Sequence, residues 1–320
     1  MSLIPVMLIG LEAAARRQAM IASIWSVVSW AILVGSWFVS EDGLPAFSWG
    51  VTIAISLVVP FVVLLTLPLG KVADRLAKHL RPEPPTQQFD NVVTEIAIAL
   101  VEPVESIQTY RCAVPNIAML PCSDREIVVA TTGALEELSR YELQALVAAQ
   151  FAGMRNRWCR MATRAEIMWW AIPWFLPIGL CGLVLGRPVA MFVSFCFLFV
   201  WAFMPRKTEH ARDLCADIVA VRTTFDPQSL ASAMRKLAEH AQAATQIKFG
   251  AWYLPTNPFL VVPKRNQTKT TVNGRSWTQA EEVRLELLLR ADRAEAMAKG
   301  GKASDFTGRE FSRRWGKLGK

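Results

Sequence analysis

The stretch ELQALVAAQFAGMRNRW, Glu142 to Trp158, reads as an amphipathic helix with a well-marked start. Ser139 offers an N-cap oxygen, and Glu142, three residues later, completes a capping box. Leu143, Leu146, Val147, Gln150 and Met154 follow at helical spacing, which buries one face and leaves Gln150 near its edge. Ala149 and Gly153, at i and i+4, offer no metal ligand, and the amide of Gln150 cannot take up a proton as a carboxylate would.

Landmarks on either side of this helix fall in a recognisable order. Pro115 and Asn116 precede Ile127–Gly133 (IVVATTG), which leads through Ala134–Ala148 into the helix, and Asn156 follows. Downstream come Arg212–Asp217 (RDLCAD), Asp226–Leu237 (DPQSLASAMRKL) and Thr256–Pro258 (TNP). Over residues 90 to 260 the series resembles the HtpX-type membrane metalloproteases, relatives of the CAAX prenyl protease. Their corresponding segments are PNAF, an edge strand, a GLLxxLsxxELxAVLA run, REYEAD, dPxaLasALrkL and THP. The resemblance implies an α+β fold, mainly helical, with four membrane-embedded helices and a gluzincin-like cytoplasmic domain. It also implies that Ile127, Val128, Val129, Ala130, Thr131 and Thr132 form an edge strand able to pair with an extended peptide.

Members of that family carry HExxH on the helix, two histidines for zinc and a glutamate as general base. In this chain Ala149, Gln150 and Gly153 stand at those positions. The family's third ligand, a glutamate, is Asp213, its aspartate after the asparagine is Trp158, and the histidine of THP is Asn257. Only His79, His210 and His240 occur anywhere, so no HExxH exists in any register. With no imidazole at the site, Asp213 alone does not hold zinc, and neither a metal nor another cofactor is expected.

Asp213 and Asp217 stand at i and i+4, one turn after Glu209 and near His210. Three hard oxygen donors would suit magnesium or calcium better than zinc. The preferred reading makes Asp217, the family's ADxxA aspartate, a hydrogen-bonding group within the fold, with Asp213 paired to an arginine such as Arg155 or Arg157.

Composition agrees with a membrane protein that has a soluble part. The 320 residues are 52% hydrophobic and 19% charged, with twelve tryptophans, and mean hydropathy is +0.27. Ile21–Val39, Phe47–Leu69, Ile167–Leu185 and Val189–Met204 are apolar runs near the roughly 20 residues that cross a bilayer. The last is short, and Gly186–Pro188 divides the second pair, so that pair is either two spans or an embedded hairpin. Ser40–Ala46 carries Glu41 and Asp42 and no basic residue, whereas Arg16, Arg17, Lys71, Arg75, Lys78, Arg206 and Lys207 flank the opposite ends. Both termini and the soluble domain are therefore expected on the cytoplasmic side of the inner membrane. The first run lacks an A-x-A site, so no cleaved signal peptide is expected.

The chain then divides into a membrane hairpin (1–80), the first half of the protease-like domain (81–166), a second hairpin (167–205), the second half (206–262) and a C-terminal extension (263–320). RPEPPTQQ from Arg81 is a linker, Phe89–Leu100 a helix ended by Pro103, and Ser106–Ala113 and Glu126–Thr132 paired strands. Thr278–Met297 reads as a charged helix with Glu286 and Arg290 at i and i+4 and Leu285, Leu288, Leu289 and Asp292 imperfectly on one face. The tail after Gly300 sets Phe306, Phe311 and Trp315 among basic residues, which suits anionic lipid, where each basic residue adds about 1 kcal/mol. It accounts for much of the net charge of +8, and nucleic acid is not an expected partner. The six cysteines lack C-x-x-C spacing and read as small buried residues.

Two functions fit. One is a pseudopeptidase that binds a peptide or partner protein at the cytoplasmic face of the membrane without cleaving it. The other is an active zinc metalloendopeptidase acting on membrane or misfolded proteins, whose ligands would lie elsewhere in the chain.

Overall fold

In the computed structural model of the chain, the described residues are 82–164 apart from 102, 105, 123, 124, 157 and 158, then 212–241, then 270–300 apart from 273, 274 and 278. Isolated helical positions at 17, 20, 21, 24, 27, 28, 74 and 77 complete the set. Otherwise the four apolar runs lie outside the described residues, as do Trp158, Asn257, Glu209 and the tail. Among the described residues, no helix is long and apolar enough to cross a membrane. The chain divides into two compact units, one made of Met1–Ala15, Pro68–Cys159 and Asp213–Lys320, the other of Arg16–Leu67 and Arg160–Arg212. The elements below belong to the first, which is mainly helical with a small sheet.

The first helix, α1 (Gln87–Leu100), starts where Thr86 accepts a hydrogen bond from Phe89 N at 3.4 Å, and Asp90 in its first turn complements the helix dipole. Phe89, Val92, Val93, Ile96 and Ala97 repeat at helical spacing and are buried. It stops at Val101, whose φ of 56° lies in the left-handed region and whose N–H turns back to Ala97 O and Ile98 O.

The sheet contains β1 (Pro82–Glu83), β2 (Ser106–Tyr110), β3 (Ile117–Pro121) and β4 (Glu126–Thr131), in the order β1-β2-β4-β3. β2 runs parallel to β4, with Ser106 opposite Ile127, and β3 runs antiparallel to β4, with Ile117 opposite Ala130. The expected edge strand Ile127, Val128, Val129, Ala130 and Thr131 is therefore interior. Its main-chain groups are taken on both sides, and Thr132 already belongs to the next helix. This corrects the expectation of peptide addition to that strand. The true edge on that side is β3, where Ile117 to Leu120 are at most 5% exposed.

β4 passes into α2 (Thr132–Glu137) through a tight clasp. Thr131 Oγ1 accepts from Asn116 N at 2.8 Å and Ala134 N at 3.2 Å, while Thr132 Oγ1 accepts from Cys112 N at 3.1 Å and donates to Cys112 O at 3.0 Å. Gly133 N donates to the same Cys112 carbonyl at 2.9 Å. A Cβ at Gly133 would stand 2.1 Å from Ala113 O, so only glycine allows this approach.

Helix α3 (Arg140–Arg155) carries the expected capping box, with Ser139 and Glu142 satisfying each other's backbone N–H groups. Residues 212–224 form α4, and α5 (Pro227–Glu239) follows Phe225, a second left-handed residue at φ 54°, with Asp226 as N-cap. Beyond a short hairpin of β5 (Thr270–Val272) and β6 (Arg275–Trp277), α6 (Gln279–Ala298) packs against α5. Val283, Leu287, Ala291, Ala294 and Met297 of α6 are buried, a regular stripe that differs from the expected face of Leu285, Leu288 and Leu289.

Candidate functional site

The middle of α3 lies in the core. Ala149 is buried, and Gln150 is 8% exposed. A Cβ placed on Gly153 would meet Ala216 Cβ at 3.9 Å, an ordinary contact. Gly153 thus faces α4 at the residue between Asp213 and Asp217, and the positions that the resemblance makes metal-binding lie on neighbouring helices.

The N-terminal end of α3 is fixed by a charged group. Glu142, besides capping its own helix, accepts from Ser232 Oγ at 2.6 Å and Lys236 Nζ at 2.7 Å, which ties α3 to α5. Burial pushes its pKa up, but the bonds from Lys236, Ser232 and Ser139 outweigh that and hold it below the usual 4.5. On the outer side, Glu95 of α1 pairs with Arg140 and accepts from Gln144 Nε2 at 2.6 Å.

Asp217 has no exposed surface. Arg290 of α6 approaches it side-on, with Nε 3.2 and 3.1 Å from its two oxygens and Nη2 2.6 Å from Oδ1. Arg293 Nη2 reaches Oδ2 at 3.3 Å. Arg290 Nη1 also stands 3.5 Å from Asp213 Oδ2, so one guanidinium bridges both aspartates. Burial alone would lower the pKa of Arg290, but the charges of Asp217 and Asp213 and the hydrogen bonds it donates to Asp217 raise it. Arg293 is less well compensated. Its Nε and Nη1 are buried without a hydrogen-bond partner among the described residues, and burial lowers its pKa despite Asp217.

Asp217 therefore acts within the fold, as the sequence reading prefers. The partner of Asp213 shown here is Arg290, from the region beyond the resemblance. Arg157 and the side chain of Arg155 lie outside the described residues. Arg290 and Arg293 were missed because Glu286 and Arg290 looked like an intrahelical pair. The available signal was Arg290 itself, at the seventh residue after Val283 and so inside the apolar stripe of α6.

A catalytic zinc needs about three protein ligands and an open position for water. At the positions the resemblance assigns, Ala149 and Gly153 supply none, Gln150 is an amide, and the carboxylate of Asp213 faces a guanidinium. The residues present do not fit the metal that the resemblance implies. Among the described residues, no cluster of His, Cys, Asp or Glu side chains has the makings of a metal site.

Three relatives place the chain. A Protease HtpX homolog of Caldanaerobacter subterraneus subsp. tengcongensis is 24% identical over 241 residues, 67% of this chain and 79% of that protein. Protease HtpX homolog 2 of Methanosarcina acetivorans is 26% identical over 170 residues, covering 50% and 58%. A Protease HtpX homolog of Ligilactobacillus salivarius is 23% identical over 267 residues, covering 77% and 86%. No family model and no solved structure matches the chain.

Proposed function

Because this chain is a relative of the HtpX-type proteases, a membrane peptidase family, we propose that it is a catalytically inactive pseudopeptidase. It acts by binding a peptide or partner protein at the cytoplasmic face of the inner membrane. The observation that carries this reading is the replacement of both histidine positions and the base by Ala149, Gly153 and Gln150, with the remaining Asp213 turned to Arg290. Losing one group would be compatible with a redesigned site. Losing all of them removes the water activation on which the chemistry depends.

Binding does not run through β4, whose two edges are already paired. The retained scaffold, with its capped α3 and its clasp at Thr131–Gly133, supports a role in presenting a surface. The basic, aromatic tail supports contact with anionic lipid. Charge flanks support a multi-pass arrangement with both termini inside, so reporter fusions after Leu80 and at Lys320 should report cytoplasm and one at Gly43 the opposite side.

Metal content and proteolysis of the purified, full-length protein test the central claim together. Less than stoichiometric zinc and no cleavage of an unfolded casein substrate are expected. Near-equimolar zinc with chelator-sensitive proteolysis that survives Gln150→Ala would establish the rival reading, an active zinc metalloendopeptidase with ligands elsewhere.

A further inference from the structure

We propose that Arg160 and Arg164, one helical turn apart just ahead of the third apolar run, form a binding site for the phosphate of an anionic phospholipid. The inference rests on the membrane reading and deepens it, by assigning a lipid headgroup to named residues.

The sequence supplies the setting. Arg155, Arg157, Arg160 and Arg164 put four positive charges into ten residues, and no acidic residue lies between Glu142 and Glu166. Ile167, three residues after Arg164, opens the apolar run Ile167–Leu185. With that run in a bilayer, long basic side chains one turn before it lie at the depth of the headgroups.

The structure adds an unmet charge. Residues 159–164 are helical, so Arg160 and Arg164, at i and i+4, share one face, with Arg160 exposed and Arg164 half-buried. Arg164 Nε is sealed from solvent and has no hydrogen-bond partner, and the same holds for Oγ1 of the fully buried Thr163 beside it. Burial, and then the like charge of Arg160, lower the pKa of Arg164, with no opposite charge among the described residues to offset them. Other arginines of the chain are placed differently: Arg290 meets Asp217, Arg140 meets Glu95 and Arg235 meets Glu295.

A guanidinium stays charged even when partly dried, so it requires an anion. A phosphate suits it, because its oxygens take parallel N–H bonds from the guanidinium fork. A second arginine whose Cβ lies about 5–6 Å away can meet another oxygen of the same group. A carboxylate of a peptide would balance the charge as well. The position of the pair at the foot of an apolar run favours the headgroup, whose acyl chains would lie along that run.

The test uses the full-length protein in detergent, with bound short-chain phosphatidylglycerol and phosphatidylcholine counted by native mass spectrometry. Phosphatidylglycerol should bind at least about fivefold more tightly. Arg164→Gln should remove most of that preference, and the double change with Arg160→Gln all of it. Arg313→Gln with Arg314→Gln, the same loss of charge in the tail, should leave most of it. Melting curves establish that each variant is folded, and Arg160→Gln, at an exposed position, takes the place of Arg164→Gln if that one does not fold. Equal affinity for the two lipids, or a tail variant that loses as much as Arg164→Gln, overturns the proposal. Excess inorganic phosphate should not displace the lipid, and displacement would make this a site for free phosphate and overturn the lipid assignment. Carbonate extraction of membranes decides the membrane reading separately, since a chain released by it is not embedded whatever Arg164 binds.

Discussion

Arg290→Met should be the most damaging single change on α6. In the folded protein Arg290 Nη2 lies 2.6 Å from Asp217 Oδ1, an attraction of about 6 kcal/mol at an effective dielectric constant of about 20. Part of that offsets the cost of drying both groups. Removing the arginine alone leaves a fully buried carboxylate with, among the described residues, the 3.3 Å contact from Arg293, and breaking a buried pair from one side costs about 3–5 kcal/mol. For a unit of roughly 150–250 residues each kcal/mol lowers the melting temperature by about 2–4 °C, so a fall of about 6–20 °C is expected. The double change Arg290→Met with Asp217→Asn removes both charges and should recover most of the loss. Arg293→Met should cost about 1 kcal/mol or less, since it removes a buried cation with two unpartnered N–H groups. Melting is compared in one detergent at one scan rate, because unfolding of such proteins is often irreversible. If Arg290→Met melts within 2 °C of the unmodified protein, taking about 2 °C as less than one kcal/mol, or if the double change is no better than the single one, the ionic account of α6 is wrong.

Other changes probe the scaffold. Gly133→Ala places a Cβ 2.1 Å from Ala113 O and should cost at least about 2 kcal/mol, read as a lower melting temperature or loss of folded protein. Glu142→Gln gives up the charged bonds to Lys236 and Ser232, a cost of about 1.5–3 kcal/mol near neutral pH. Because the pKa of Glu142 is lowered on folding, its contribution is complete above the ordinary value of 4.5 and is lost as pH falls through the lowered value. The gap between the two proteins should therefore close on acidification, and a gap that widens there would refute the assignment. Val101→Gly should stabilise by about 0.5 kcal/mol, since an 89% exposed valine holds a left-handed conformation that glycine adopts freely.

Local signals in the chain read through to structure well. Ser139 and Glu142 lie three residues apart, and their capping box depends on nothing distant, so it was visible before any coordinates. The start of α1 was placed at Phe89, two residues late, because Thr86 as N-cap was hidden in a proline-rich stretch. Pairing is another matter. Ser106–Ala113 and Glu126–Thr132 were expected to pair, and β2 and β4 within them do, but Ile117–Pro121, which forms β3 on the far side of β4, was not read as a strand. Which strand is interior depends on contacts that no single run of residues encodes, and β4, buried on both faces, shows no alternation to warn of it. Ala149, Gln150 and Gly153 can be read directly as letters. The contact between Arg290 and Asp217 cannot, since it spans 73 residues.

That separation gives the ionic contact a place in time. A ribosome adding about 5–20 residues per second takes on the order of ten seconds to travel from Asp217 to Arg290. By the end of that interval the four-stranded sheet and the helices up to α5 have been made, and only then does Asp217 meet Arg290. A buried carboxylate needs its counter-charge, so the dry position of Asp217 waits for α6. A chain interrupted before α6 would carry much of the apolar core and still lack the arginine that Asp217 requires to leave water.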